Sequence, residues 1–318
     1  MGDPASPILR LGTRGSLLAR TQSQLVADEL MRRRPGLRVE LVTVRTTGDR
    51  ITDRPLHEMG GKGLFTKELE QALLAKDVDF AVHSFKDVPV TMPLVDTSDL
   101  VIAAVPKRED PRDVVVMHDP SRGALPHRAR VGTSSLRRQA QLLELGNDFT
   151  ILPLRGNIDT RLRKVRDGEY DVVVLAMAGL MRAGLFDALF MKPLDPGKAM
   201  LPAAAQGALA LQCRADDART RDLLTTLNDP ATAACVAAER GVVRGLNGDC
   251  HSPIAALATV DAADGQMSLL AAVGARDGRP PVVRAEASGP AADAPALVSQ
   301  VVKLLLSRGA TPGNAGPD

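Results

Sequence analysis

The chain has no tryptophan, one tyrosine and six phenylalanines among 318 residues. So thin an aromatic supply leaves no platform for stacking unpaired bases, and a formal net charge of +2 exerts no overall pull on a polyanion. Nucleic acid is therefore not an expected partner, and any anion must be held by a local cluster. Three cysteines, Cys213, Cys235 and Cys250, are odd in number and lack CxxC spacing, which argues against a disulfide framework and a zinc site. The five histidines form no HExxH pattern, so no metal is expected. No apolar run is long enough to cross a bilayer, and the N-terminus lacks the basic-then-apolar order of a secretory signal. The expectation is a cytoplasmic protein in a reducing compartment, without a membrane partner.

What is present fits a globular protein, and the length exceeds one ordinary core, which predicts two or three domains. Cys250 lies in Leu246-Asn247-Gly248-Asp249-Cys250-His251-Ser252-Pro253-Ile254, after a helix-like segment and before a β-like one. Asn, Gly, Asp and Pro favour a turn, so this thiol is expected on a loop and available for chemistry. The competing expectation is the ordinary one, a buried cysteine serving as a small hydrophobe.

Taken in order, Ile8–Gly12 reads as a strand running into Thr13-Arg14-Gly15-Ser16, followed by a helix over 17–33 whose face includes Leu18, Gln22, Leu25 and Glu29, and which Pro35-Gly36 ends. A strand over 39–44, a helix over 64–75 after Gly60-Gly61-Lys62-Gly63, and a strand over 80–83 complete a first unit. The order then returns: a strand at 130–132 entering Thr133-Ser134-Ser135, a helix over 136–145, a strand over 150–154, a helix opened by Arg155-Gly156-Asn157, and a strand over 171–175. Strands alternating with helices predict sheets of parallel type, with ligands at the carboxyl ends of the strands, where helix N-termini offer free N–H groups. Plain N-capping explains each hydroxyl of these loops equally well. Repetition in two halves, with arginines beside each loop, favours two lobes and one cleft. After Pro202 the chain is expected to cross back to the first lobe. A helix from about 229 to 244, three strands joined by short turns with Asp264-Gly265 and Asp277-Gly278, and a final helix predict an α+β domain with an antiparallel sheet. The expected division is 1–105 plus about 203–225, then 106–202, then 226–318.

Two common chemistries lose their support. The Gly60–Gly63 run fails the GxxxxGK[ST] spacing, and the first strand is not followed by GxGxxG, so neither a nucleoside triphosphate nor a dinucleotide is expected. Arg14, Arg137, Arg138, Arg155, Arg161 and Arg182 all fall at or just after predicted strand ends. Guanidinium forks match carboxylates bidentately, so several in one cleft imply a ligand with several carboxylates or phosphates. Lys86-Asp87 follows a buried strand; it reads either as a surface pair of small value or as a cleft carboxylate able to hold a cation or move a proton.

Together, Gly60–Phe65 with Lys67-Glu68-Leu69-Glu70, His83–Val88, Val131–Gln139, Leu154–Leu162 and Asn247–Pro253 resemble the porphobilinogen deaminases, or hydroxymethylbilane synthases, in the right order from about 9 to 258. The resemblance implies two α/β lobes like those of periplasmic binding proteins, plus a third domain. It implies that four porphobilinogen molecules are joined head to tail with loss of ammonia, on a dipyrromethane cofactor attached covalently to Cys250. It implies Asp87 as the catalytic carboxylate, and Lys86, Thr133, Ser135, Arg137, Arg138, Arg155, Gly156 and Arg161 as cofactor binders. Arg14, Ser16, Phe65, Arg182 and Gln206 are implied on the substrate side, and a monomer is expected. Asp249 and His251 flank the cysteine where neutral neighbours are expected, and Glu58 stands where some relatives carry a base. The rival expectation is a non-enzymatic two-lobed protein binding a polycarboxylate or oxyanion, which would have no use for Cys250 or a third domain.

Overall fold

Three sheets organise the computed structural model, which describes residues 8–46, 66–90, 99–249 and 251–311. Phe65, Cys250, Glu58 and the Gly60–Gly63 run lie outside the described residues. The first sheet has the order β2-β1-β3-β10-β4, with β1 (Ile8–Thr13), β2 (Arg38–Thr43), β3 (Phe80–Ser84), β4 (Leu100–Ala104) and β10 (Leu209–Arg214). The second has the order β7-β6-β8-β5-β9, with β5 (Asp113–Met117), β6 (Arg130–Gly132), β7 (Thr150–Leu152), β8 (Val172–Ala176) and β9 (Met191–Pro193).

Position for position the two orders coincide, so the repeat in the sequence is a repeat of sheets. Parallel pairing holds for β2-β1-β3 and for β7-β6-β8. The expectation of parallel-type sheets needs one correction: the fourth strand of each sheet, β10 or β5, is antiparallel to both of its neighbours. β5 follows the first sheet's β4, and β10 follows the second sheet's β9, so the chain passes between sheets twice. The repeat in the sequence predicts no strand at β4, β5, β9 or β10, since none belongs to the repeated strand-loop-helix unit. β5 and β10 bury every residue, so neither shows the alternation that marks a half-exposed strand.

The described residues form two compact units, one of residues 8–108 and 208–233, the other of 109–207 and 234–311. In the first, helix α1 (Leu17–Arg33) buries Gln22, Ser23, Val26, Ala27 and Leu30, whereas Leu25 is 47% exposed. The buried face is therefore rotated from the expected one. Small residues on it let the helix lie close to the sheet, and Ser23 donates to the Thr13 hydroxyl at 2.8 Å. Helices α2 (Lys67–Leu74) and α6 (Ala218–Thr225) complete the unit's described helices other than the part of the next one that falls within it. Leu9, Leu11, Val26, Leu30, Phe80, Leu211 and Leu224 share its core.

In the second unit, α3 (Leu136–Glu144), α4 (Ile158–Arg166) and the short α5 (Met177–Arg182) follow β6, β7 and β8 in turn. Helix α7 (Pro230–Gly245) leads toward the third sheet, an antiparallel meander of β11 (Ile254–Val260), β12 (Gln266–Val273) and β13 (Val283–Pro290). Helix α8 (Ala294–Ser307) buries Leu297, Val301 and Leu305, spaced to form one face. This sheet packs on α3: Ala140 shares a core with Leu201, Ala255, Leu257, Ala272 and Val282. Glu144 accepts from the Val282 N–H at 3.1 Å and pairs with Arg284.

The two repeats share side-chain detail as well as strand order. Asp79, just before β3, accepts the Arg10 N–H at 2.8 Å and pairs with its guanidinium at 3.0 Å. Asp171, just before β8, accepts the Arg130 N–H at 2.7 Å and pairs with that guanidinium at 3.3 Å. The glycines opening the Gly-Thr loops match too. A Cβ on Gly12 would lie 3.1 Å from Leu69 and Val78, and one on Gly132 would lie 2.8 Å from Tyr170.

Candidate active site

Because β1 and β3 are parallel neighbours, the loops that follow them leave the same end of the first sheet. The β1 loop carries Arg14 and Ser16; the Ser16 hydroxyl caps α1, accepting from the Ala19 N–H at 3.4 Å. β3 runs into a single 3-10 turn over Phe85–Asp87. Phe85 and Val88 are buried, and the Phe85 N–H donates to the Ala208 carbonyl at 3.0 Å. Lys86 and Asp87, between these anchors, remain half-buried. The turn thus presents an acid and a base on a rigid strand end.

Beneath them lies a buried polar chain that sequence reasoning missed. His83 in β3 meets the Gln212 amide oxygen at 2.9 Å, and Gln212 donates to Glu70 at 3.0 Å. Burial pushes the His83 pKa down to about 4; the Gln212 hydrogen bond opposes that fall and the Arg14 charge assists it. A polar triplet within buried strands and a helix is visible only once β10 is known to lie beside β3.

In the second unit, three parallel strand ends again point one way. Thr133 is buried, its hydroxyl accepting from the Ser135 N–H at 3.1 Å, and Ser135 caps α3, accepting from the Arg138 N–H at 3.4 Å. Ser134 is tied to the Leu154 backbone in both directions at 3.0 Å. Past β7, Arg155 is half-buried and Gly156 adopts φ +107°. Arg161 donates to the Gly156 carbonyl at 2.8 Å, closing the turn on which both sit. Arg182 ends α5 and donates to the Gly207 carbonyl at 2.7 Å; burial lowers its pKa to about 10, opposed by Glu109.

Arg137 and Arg138 converge on Asp113, the fully buried first residue of β5, at 2.7 Å each. Gln206, expected beside the substrate, is itself fully buried and donates to the Asp113 carboxylate at 3.0 Å and the Pro111 carbonyl at 2.8 Å. Burial alone would raise the Asp113 pKa, but the two guanidinium groups and the amide hold it well below the usual carboxylate range. Two guanidinium charges against one carboxylate leave this buried cluster with a net charge of +1. Sequence reasoning passed over Asp113, although an acid opening an all-apolar run, Asp-Val-Val-Val-Met, is a signal for a buried charge with a partner.

On either side of position 250, which lies outside the described residues, Asp249 is hydrogen-bonded to His251 and Ser252. The Asp249 carboxylate accepts from the N–H groups of His251 and Ser252 and from the Ser252 hydroxyl, each at 2.9 Å, and Asn247 adopts φ +51°. Those hydrogen bonds and the neighbouring His251 outweigh burial and keep the Asp249 carboxyl below its ordinary pKa. The other thiols are core residues: Cys213 and Cys235 are buried, and burial raises Cys213 to about 11.

The family model described as porphobilinogen deaminase, dipyromethane cofactor binding domain, matches residues 9–222, and the model of the C-terminal domain of porphobilinogen deaminase matches residues 233–307. This chain belongs to the porphobilinogen deaminase family. The porphobilinogen deaminase of Stenotrophomonas maltophilia is 49% identical over 304 residues, covering 95% of this chain and 97% of that protein. That of Syntrophobacter fumaroxidans is 48% identical, with 95% and 96% covered. A solved extracellular-binding protein of a probable amino-acid ABC transporter from Bacillus subtilis overlays at a TM-score of 0.40, with 13% identity over 70% of this chain and 90% of that one. Family membership accounts for the C-terminal segment, which a two-lobed binding protein leaves without a purpose. No helix among the described residues is long and apolar enough to cross a membrane.

Proposed function

We infer that this chain is a transferase of tetrapyrrole biosynthesis that joins four porphobilinogen molecules into hydroxymethylbilane with release of ammonia. The observation that carries the reading is the family match, which runs through both the cofactor-binding segment and the C-terminal segment. The donor set fits a dipyrromethane: its rings bear carboxylates, and the buried cluster of Arg137, Arg138 and Asp113 is positively charged. When bound, that group supplies a tethered pyrrole end for chain growth.

In this reading Cys250 is the tether, and the turn closed by Asp249 holds its neighbours in place. Lys86, Thr133, Ser135, Arg137, Arg155, Gly156 and Arg161 hold the cofactor, with Arg138 acting at one remove through Asp113, and Arg14, Ser16, Phe65, Arg182 and Gln206 serve the incoming substrate. Gln206 acts at one remove, through its hydrogen bond to Asp113. Expelling ammonia and forming the new carbon–carbon bond both place positive charge on pyrrole nitrogen. A carboxylate at Asp87, fixed on the strand end, stabilises that charge and can relay the proton that each step must move. The domain division is 1–105 plus about 203–225, 106–202 and 226–318, and the enzyme works as a cytoplasmic monomer on a small molecule, without nucleic acid or membrane. The intact mass of the purified protein tests the reading. It should exceed the sequence mass by two porphobilinogens less two ammonias, and Cys250→Ser should not yield a stable holoenzyme. An unmodified protein with full turnover would overturn the tether.

A further inference from the structure

Each guanidinium offers five N–H groups, and accounting for them separates the two arginines that meet Asp113. Arg138 turns its Nε and Nη2 toward the Oδ1 of Asp113, at 3.0 and 2.7 Å, and its Nη1 toward the Val174 carbonyl at 2.7 Å. Both of its edges are engaged by the protein. Arg137 donates from Nη1 to the Oδ2 of Asp113 and to the Leu201 carbonyl, both at 2.7 Å, and from Nη2 to Oδ1 at 3.3 Å. Among the described residues nothing accepts from its Nε, so the edge formed by Nε and the second Nη2 hydrogen is unused. That edge matches a second carboxylate through two parallel hydrogen bonds.

We propose that Asp113 is a positioning residue that divides the work of this pair: it locks Arg138 as internal support and turns the side-on edge of Arg137 toward one carboxylate of the dipyrromethane cofactor. The inference rests on the porphobilinogen deaminase reading and deepens it. Charge agrees with geometry. Without Asp113 two buried positive charges would repel each other; with it, one remains, the complement of a single carboxylate. Gln206 and the Leu201 and Val174 carbonyls fix the assembly from three further points of the fold.

The test uses full-length protein produced in cells that make no porphobilinogen, then incubated with porphobilinogen while intact mass and melting temperature are followed. Arg137→Gln should melt within a few degrees of the parent, yet acquire the cofactor mass at least about tenfold more slowly, one bidentate contact of about 1.4 kcal/mol or more. Arg138→Gln should lower the melting temperature more than Arg137→Gln does. Asp113→Asn keeps the shape and removes the charge; its folded fraction should load as slowly as Arg137→Gln. Should Asp113→Asn fail to fold, Asp113→Glu decides: it keeps the charge and displaces the carboxylate, so its folded fraction should also load slowly, and loading at the parental rate overturns the proposal. Loading of folded Asp113→Asn or Arg137→Gln at the parental rate overturns the proposal and leaves the enzyme assignment intact. A parent protein that never gains the mass overturns the assignment itself.

Discussion

The two repeated sheets have the same strand order and the same Arg–Asp tie at the base of their first strands, yet the residues at their carboxyl ends have diverged. The first sheet ends in a turn that leaves an acid and a base, Asp87 and Lys86, half-buried. The second surrounds a buried acid with two arginines and retains a net positive charge. The divergence extends into the strands. By the pairing register, Ala81 and Val173 both lie opposite the loop glycine of the first strand, so His83 in β3 corresponds to Leu175 in β8. Duplication supplies a scaffold that repeats where packing demands it, at glycine, threonine and aspartate. Chemistry enters where packing does not decide the residue.

The largest effect expected from breaking this contrast is at Asp87. Asp87→Asn keeps the size of the side chain and removes its charge, so the variant should retain the cofactor mass while losing about 10²-fold or more in turnover. Initial rates of ammonia release measure it, and a near-parental rate would refute the catalytic assignment. The matching change in the second sheet, Asp113→Asn, should instead show first in cofactor loading. One sheet would then be chiefly responsible for turnover and the other for retention.

Much of this was legible without coordinates, for identifiable reasons. Helix α1 was bounded correctly because Ser16 caps it and Pro35-Gly36 stops it, both local signals. The repeated Gly-Thr loops were legible because a missing Cβ and a capping hydroxyl leave a fixed spelling. The buried clusters were not. Asp113 meets residues 24, 25 and 93 positions away, and His83 meets Gln212 129 positions away. Each depends on an antiparallel fourth strand that no local pattern announces. The hydrogen bond from Gln206 to Asp113 is of the same kind, appearing only when β5 and the 203–208 segment lie together.

His83 supplies a second, smaller test. Its native pKa of about 4 lies below the ordinary 6.5, so between those values the unfolded chain binds a proton that the native chain excludes. The stability this contributes is fully present above about pH 6.5 and is lost as pH falls toward 4, a change on the order of 3 kcal/mol across the whole window. Hydrogen-exchange protection factors, with the intrinsic pH dependence of exchange divided out, should fall on acidification in the first sheet before the second, where the equivalent position is Leu175. His83→Leu should flatten the pH dependence between 7 and 4 and lower stability at neutral pH, because the Gln212 amide loses a buried partner. An unchanged slope in that variant would assign the acid sensitivity to other groups.

The smallest effect concerns what the sheets share. Asp79 and Asp171 each join a strand entrance to the backbone N–H and guanidinium of an arginine in the neighbouring strand, with little difference in geometry. Arg10 and Arg130 are exposed by nearly half, the longer pairs to Arg214 at 3.6 Å and Arg122 at 3.5 Å are secondary, and Arg214 keeps Asp217 at 2.9 Å. The ion pairs thus contribute little, and most of the loss on truncation comes from the N–H left without its acceptor. Asp79→Ala and Asp171→Ala should therefore each destabilise by about 1 kcal/mol, by similar amounts, and with little change between low and high salt. Denaturation midpoints of the two variants decide the matter. A loss of several-fold greater size in one of them, or one that salt abolishes, would mean that the matching ties have diverged in energy as the strand ends have diverged in chemistry.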